Sequence, residues 1–252
     1  MTTPAPHTVL LAGGTGRTGR RVLQQLLDRG VSVRAVVRSP GKLPPEVAGH
    51  PRLTVIEASL LSLGDEALRQ HLRGCDAVIS CLGHVLDLKG VFGSPRDLVT
   101  QATRRLCRAI EALRPAAPVK VILMSSVSVH RSNGLDARRG SFERAFLRLL
   151  CAVLPPARDN QRAAEVLLRD VGQGHPSVEW AIVRPDTLLE GEGTPYALHA
   201  ELVDGLFAPG RTRMANVATF MCQLVTDPAT WARWQGQLPV ITDAQASEAS
   251  AA

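Results

Sequence analysis

The run Gly13-Gly14-Thr15-Gly16-Arg17-Thr18-Gly19 has the residue types and spacing to hold a pyrophosphate. Gly14, Gly16 and Gly19 satisfy G-x-G-x-x-G, and Gly13, Gly16 and Gly19 satisfy the wider G-x-x-G-x-x-G spacing. Such glycines permit a tight turn, close approach of backbone to phosphate, and close packing of helix on strand. The pattern alone also fits an ordinary turn. Here the apolar stretch Val9-Leu10-Leu11-Ala12 precedes it and an amphipathic segment follows. That context makes Gly13, Thr15, Gly16, Arg17, Thr18 and Gly19 the expected cradle of a dinucleotide. The first helical turn offers unpaired N–H groups and a positive dipole end to the phosphates.

An acid about twenty residues past the glycines marks NAD-binding forms, where it receives the ribose 2′-hydroxyl. Here that place reads Arg34-Ala-Val-Val-Arg38-Ser39, with no acid before Glu46. An arginine fork suits a phosphate dianion, so Arg38, with Arg17 expected in the same neighbourhood, points to NADP(H). The plainer role for Arg38 is an exposed strand-end residue. Further contacts are expected from the carboxyl ends of later strands: Ser80, Cys81, Leu82 and Gly83 after one, Ser125 and Ser126 after the next. Gly83 would let the backbone approach a ribose. Cys81 is either a reactive thiol or a small buried hydrophobe. Ser125 or Ser126 would hydrogen-bond substrate, or simply end the strand. His84 and His130 follow those strands and are candidate proton donors, since a histidine titrates near neutrality. Asp159 and Asn160 are expected as helix N-caps, or as substrate contacts. No histidine clusters with acids or cysteines at metal spacing, so no metal is expected.

The elements that must position these residues alternate between strand and helix. Strands are predicted at 8–12, 31–37, 53–58, 77–81, 119–124, 178–183 and 238–241. Helices are predicted at 16–29, 62–72, 95–113, 141–154, 159–170 and 216–225, with Pro155-Pro156 dividing two of them. This pattern gives an α/β fold, a Rossmann-like doubly wound parallel sheet flanked by helices, with a small C-terminal cap. One domain over 8–242 is expected, its substrate cap drawn from 84–96, 130–158 and 186–215, with flexible termini at 1–7 and 243–252. Gly90, Gly93, Gly134 and Gly140 would be hinges of the cap loops. Phe142, Phe146, Leu149 and Leu150 form one helix face, read as core or an oligomer contact.

The chain has 252 residues, 45% of them hydrophobic, enough to bury a core. Its five cysteines include no C-x-x-C pair, which argues for a reducing compartment and against a disulfide framework or zinc site. No apolar run reaches the length of a membrane span, and no signal peptide is read at the start, so a cytoplasmic place is expected. The net charge of +6 is mostly arginine, spread among acids without an aromatic-interleaved stripe. That fits solvated helix faces and an anionic cofactor better than nucleic acid. The expected partner is a small-molecule substrate, with no nucleic acid and no membrane, for a monomer or small homo-oligomer.

Taken together these residues resemble the atypical short-chain dehydrogenase/reductase superfamily. Within it the chain is similar to the NAD(P)H-binding group of biliverdin-IXβ/flavin reductases, with NmrA-like proteins as relatives. The resemblance is carried by the glycine run, by Val36-Val-Arg-Ser39 and by Gly74-Cys-Asp-Ala-Val-Ile-Ser80. It extends through Val121-Ile-Leu-Met-Ser-Ser126 and Val178-Glu-Trp-Ala-Ile-Val-Arg-Pro185. It implies hydride transfer from NADPH to a flavin, a tetrapyrrole or another conjugated acceptor. Ser125 or Ser126 would then orient substrate, Arg38 and Arg17 hold the 2′-phosphate, and Gly83 line the ribose.

One departure matters. Most such enzymes use Tyr-x-x-x-Lys, the phenol protonating a carbonyl oxygen while the ammonium lowers the phenol pKa and holds the ribose. The single tyrosine, Tyr196, is followed four residues later by Ala200, and the matching slots of this chain hold Ala157 and Gln161. The sequence excludes that dyad. Two further readings stay open: a redox-silent NADP(H) sensor of NmrA type, and a biosynthetic enzyme using the fold for cyclisation, dehydration or epimerisation.

Overall fold

The computed structural model describes residues 8–83, 95–130, 155–203 and 210–244. The apolar stretch before the glycines is strand β1 (Thr8–Ala12). Successive strand residues face opposite ways, so β1 feeds two cores. Val9 and Leu11 enter one and Leu10 and Ala12 the other. The chain then forms α1 (Arg17–Asp28), β2 (Ser32–Val37), β3 (Leu53–Glu57), α2 (Asp65–Leu72) and β4 (Ala77–Ser80). Next come α3 (Leu98–Leu113), β5 (Val119–Met124) and α4 (Pro155–Glu165), the last continued by a π-helical turn over Val166–Val171. Strand β6 (Val178–Pro185) leads to the short strands β7 (Thr187–Leu189), β8 (Tyr196–His199) and β9 (Arg211–Arg213). Helices α5 (Met214–Thr226) and α6 (Pro228–Trp234) precede strand β10 (Val240–Asp243).

Eight strands make one sheet in the order β3-β2-β1-β4-β5-β6-β10-β8. It is parallel except that β8 runs against β10. Strands β7 and β9 pair separately. Helices α1, α5 and α6 cover one face, with Leu23, Phe220 and Trp231 in its core. Helices α2, α3 and α4 cover the other, around Leu68, Leu106 and Ala163. The doubly wound parallel sheet expected from the alternation is therefore what forms. The chain moves outward from β1 to β3, then crosses back to lay β4 on the other side of β1. At such a reversal the crossovers diverge and leave a crevice above the carboxyl ends of β1 and β4.

Several local expectations change. Helix α4 already includes Pro155–Arg158, ahead of the start expected at Asp159. Asp243 is not part of a loose tail: it lies in β10 opposite Tyr196, and its carboxylate accepts from Arg213 and Asn216. The stretch between β6 and α5, for which no element is predicted, contains β7, β8 and β9. Helix α6 was not expected at all. The predicted helix over 141–154, its aromatic face and the four hinge glycines lie outside the described residues.

Candidate functional site

The glycine turn joins β1 to α1 with a packing that leaves no room for side chains. A Cβ on Gly19 would lie 2.0 Å from the Gly13 carbonyl oxygen. Gly13 itself has φ +83°, and a Cβ there would lie 2.6 Å from the Cys81 oxygen on β4's carboxyl end. Gly13 thus lets two strand ends meet, and Gly19 lets helix meet turn. The Gly16 N–H donates to Gly13 O at 3.0 Å and closes the loop. Helix α1 begins here with no side-chain cap and no acid in its first turn, so its positive end is left open to an anion.

Over this turn lies a cavity of about 370 Å³. Gly13, Thr15 and Gly16 form one wall, Arg38 closes the end of β2, and Cys81, Leu82 and Gly83 extend from β4. The far wall is Ser59–Ser62 after β3, with Pro95 before α3 and Leu98 at its start. The cavity follows the crevice of the strand reversal, where open α/β sheets take their ligands, and Gly13 and Gly16 of the turn line it. Two other cavities, of about 720 and 450 Å³, open at the amino ends of the strands, beside Cys75 and Pro118. They are remote from the turn and share none of its residues.

Arg17 departs from the expected pairing with Arg38. Its Nε donates to Glu190 Oε1 at 2.8 Å, and Arg21 reaches Glu190 Oε2 at 2.5 Å. Hydrogen bonds from Arg17 and then Arg21 outweigh the desolvation of Glu190 and hold its carboxyl below the usual range. Arg17 therefore turns toward the segment after β7 and does not line the cavity, while Arg38 does. Thr18 and Gly19 are buried in α1, and support the turn from within. Nothing in the sequence near Glu190 announced this role.

Burial raises the Cys81 thiol pKa far above its ordinary value, with Cys222 adding to the effect. Cys81 is buried and packs in the core of the face covered by α1 and α5. Ser80 is 1% exposed and Ser125 8%, and neither hydroxyl has a hydrogen-bond partner among the described residues. Ser126 instead faces Ser128, Oγ to Oγ at 2.6 Å. His130 is half-buried, and its Nδ1 is enclosed and likewise unpartnered. His84 lies outside the described residues. Tyr196 donates to Gln223 Oε1 at 2.6 Å, joining β8 to α5.

The polar residues of α4 do something the sequence did not reveal. Asp159 lies inside α4, not at its start, and its carboxylate accepts from Val99 and Thr100 at the start of α3. Gln161 grips the backbone of His130. The fully buried Arg184 of the Arg-Pro pair donates to Leu238 O and Val129 O.

A strand reversal with a glycine cradle and a helix terminus at its crevice defines a nucleotide-binding protein of the Rossmann type. The chain belongs to the NAD(P)H-binding family, whose model matches residues 13–228. Among curated proteins it is 29% identical over 122 residues to an uncharacterized chloroplastic protein of Arabidopsis thaliana, covering 48% of this chain and 42% of that one. It is also 29% identical over 132 residues to cinnamoyl-CoA reductase 1 of the same plant, covering 50% and 36%. The matched regions thus span less than half the length of these relatives. Among solved structures, a short-chain dehydrogenase/reductase of Veillonella parvula in complex with NADP matches with TM-score 0.67 and 16% identity, covering 95% and 96% of the two chains. ChuY, an anaerobilin reductase from Escherichia coli, matches with TM-score 0.65 and 20% identity, covering 94% and 98%. These likenesses establish the fold.

Proposed function

We propose that the protein is an NADPH-dependent reductase of a small conjugated or carbonyl-bearing acceptor, working without a Tyr/Lys dyad. The observation that carries this reading is the cavity walled by the glycine turn at one end and Arg38 at the other. A bound nicotinamide supplies the hydride; the chain supplies position and a proton. The turn and α1 would hold the pyrophosphate, and the Arg38 guanidinium the 2′-phosphate. Ser125 and Ser126, past the end of β5, orient the acceptor. His130 or His84 would give its proton to the acceptor's heteroatom. A planar, electron-poor acceptor needs little more than proximity and orientation. The NADP-bound structural neighbour and the reductases among the similar proteins support the reading by analogy. The expected partner remains a small molecule, and the expected place the cytoplasm.

The test is loss of NADPH absorbance with a panel of flavins, quinones and tetrapyrroles. Turnover on one of them is expected. Tight NADPH binding without turnover would favour the sensor reading, and no binding would favour a non-redox enzyme. Arg38→Asp should weaken NADPH roughly ten- to a hundredfold and improve NADH, the size of one charge-assisted phosphate contact. An unchanged preference would remove the 2′-phosphate assignment.

A further inference from the structure

Past β5 the chain runs from Ser125 to His130, and two buried side chains from elsewhere hold its backbone. Gln161 takes His130 from both sides: its Oε1 accepts from the His130 N–H at 3.1 Å, and its Nε2 donates to the His130 carbonyl at 3.2 Å. One residue earlier, Arg184 Nη1 donates to the Val129 carbonyl at 3.0 Å. The remaining Nε2 hydrogen of Gln161 goes to Glu165 Oε1 at 3.2 Å, so both amide donors are engaged within the protein. The His130 backbone is thereby satisfied, yet side-chain atoms on the same segment are not. The Ser125 hydroxyl and His130 Nδ1 are enclosed without a hydrogen-bond partner among the described residues. An unpaired enclosed polar atom costs about 1–3 kcal/mol, and native folds keep few of them.

We propose that Gln161 is a positioning residue that fixes the backbone of His130, and with it the imidazole that the reductase reading makes a proton donor. The inference rests on the reductase reading above. A side-chain amide bonding both backbone groups of one residue imitates a neighbouring strand and holds that residue's backbone in place. Gln161 stands in the slot where Tyr-x-x-x-Lys enzymes carry the lysine that holds the ribose. In this chain the same helical position acts on the loop beside the reaction instead of on the cofactor.

Gln161→Met keeps the length and helix preference of the side chain while deleting its hydrogen bonds. With NADPH and either FMN or menadione, kcat should fall roughly 10- to 100-fold, the scale of a small misplacement of a reacting group. KM for the acceptor and the NADPH Kd from fluorescence titration should stay within about twofold. Hydrogen exchange by NMR should show a protected His130 amide in the wild type and fast exchange in the variant, with β5 amides protected in both. Glu165→Gln keeps an acceptor for Gln161 and should match the wild type. Unchanged kcat despite a deprotected His130 amide would overturn the proposal. So would NADPH affinity falling in step with kcat, which would place Gln161 on the cofactor. If the wild type oxidises no NADPH with either acceptor, the reductase reading falls with those probes. The positioning is then judged by the His130 ring signals when NADP⁺ and FMN are added: a shift lost in Gln161→Met supports it, and a shift retained overturns it.

Discussion

The Asp159 carboxylate caps helix α3 at Thr100 from a distant helix, Oδ1 accepting from the Thr100 N–H at 2.9 Å and from its hydroxyl at 2.6 Å. Oδ2 accepts from the Val99 N–H at 2.8 Å. An N-cap normally comes from the residue before the helix. Here Asp97 holds that place and makes no cap bond. The cap arrives instead from α4, so the amino end of α3, at the rim of the cavity, is tied to the helix that also holds His130.

Asp159→Ala leaves the buried N–H groups of Val99 and Thr100 without that partner, at a cost of about 3 kcal/mol. Urea unfolding should report it as a lower midpoint with an unchanged slope. A loss below about 1 kcal/mol would mean that water or another group replaces the carboxylate.

Gly19→Ala puts a methyl 2.0 Å from the Gly13 carbonyl oxygen, an approach that only movement of backbone can relieve. The turn must open, and the spacing of its N–H groups toward the phosphates changes. NADPH affinity should fall by at least roughly tenfold, on the scale of one or two lost charge-assisted bonds. Wild-type affinity in this variant would show that the turn is not the phosphate cradle.

Glu190→Gln removes the carboxylate that engages Arg17 and Arg21. If Glu190 competes with phosphate for Arg17, the variant should bind NADPH a few fold more tightly at neutral pH. Hydrogen bonds from Arg17 depress the Glu190 pKa, so the pair is intact above the usual carboxylate range and is lost as pH falls through the depressed value. Wild type and variant should therefore converge in acid. Parallel affinities across the whole range would leave Glu190 a surface tie with no bearing on the cofactor.

Burial pushes the thiols of Cys75 up to about 11 and of Cys107 and Cys222 up to about 12, against an ordinary 9.0. In the fold these thiols keep their protons where the unfolded chain releases them. Stability should be flat with respect to these groups below pH 9 and decline as pH rises through their folded values. Replacing Cys107 with Ala should flatten that decline; an alkaline limb of the same steepness in the variant would assign it to other groups.

The part of the site made from neighbours in sequence was legible, and the part made across the sheet was not. The glycine turn is local: strand, glycines and helix lie within twenty-odd residues, and their spacing carries the geometry. Strand β5 was legible to its ends because a doubly covered parallel strand reads as an unbroken apolar run. Gln161 and Asp159 act on backbone atoms 31 and 60 residues away, and a backbone target leaves no mark on residue type. Arg17 looked like a phosphate ligand because Glu190, 173 residues further on, could not be placed beside it. Helix α6 did carry a signal, Asp227 followed by Pro228. The Asp227 side chain caps it, accepting from Ala229 and Thr230, and the pair reads in sequence as an N-cap and first turn.

Strand β10 has a consequence for how the molecule comes into being. It lies inside the sheet between β6 and β8, and among the described residues β8 has no other strand neighbour there. During synthesis β8 must therefore wait, unpaired, until residues 240–243 have emerged. Until then β6 presents an open edge beside the finished part of the sheet. The nucleotide crevice, built wholly from earlier strands, can form before that edge is closed. Ligand capture and completion of the sheet are thus separable in time, and dinucleotide present during synthesis can stabilise the nascent chain while its last strand is still missing.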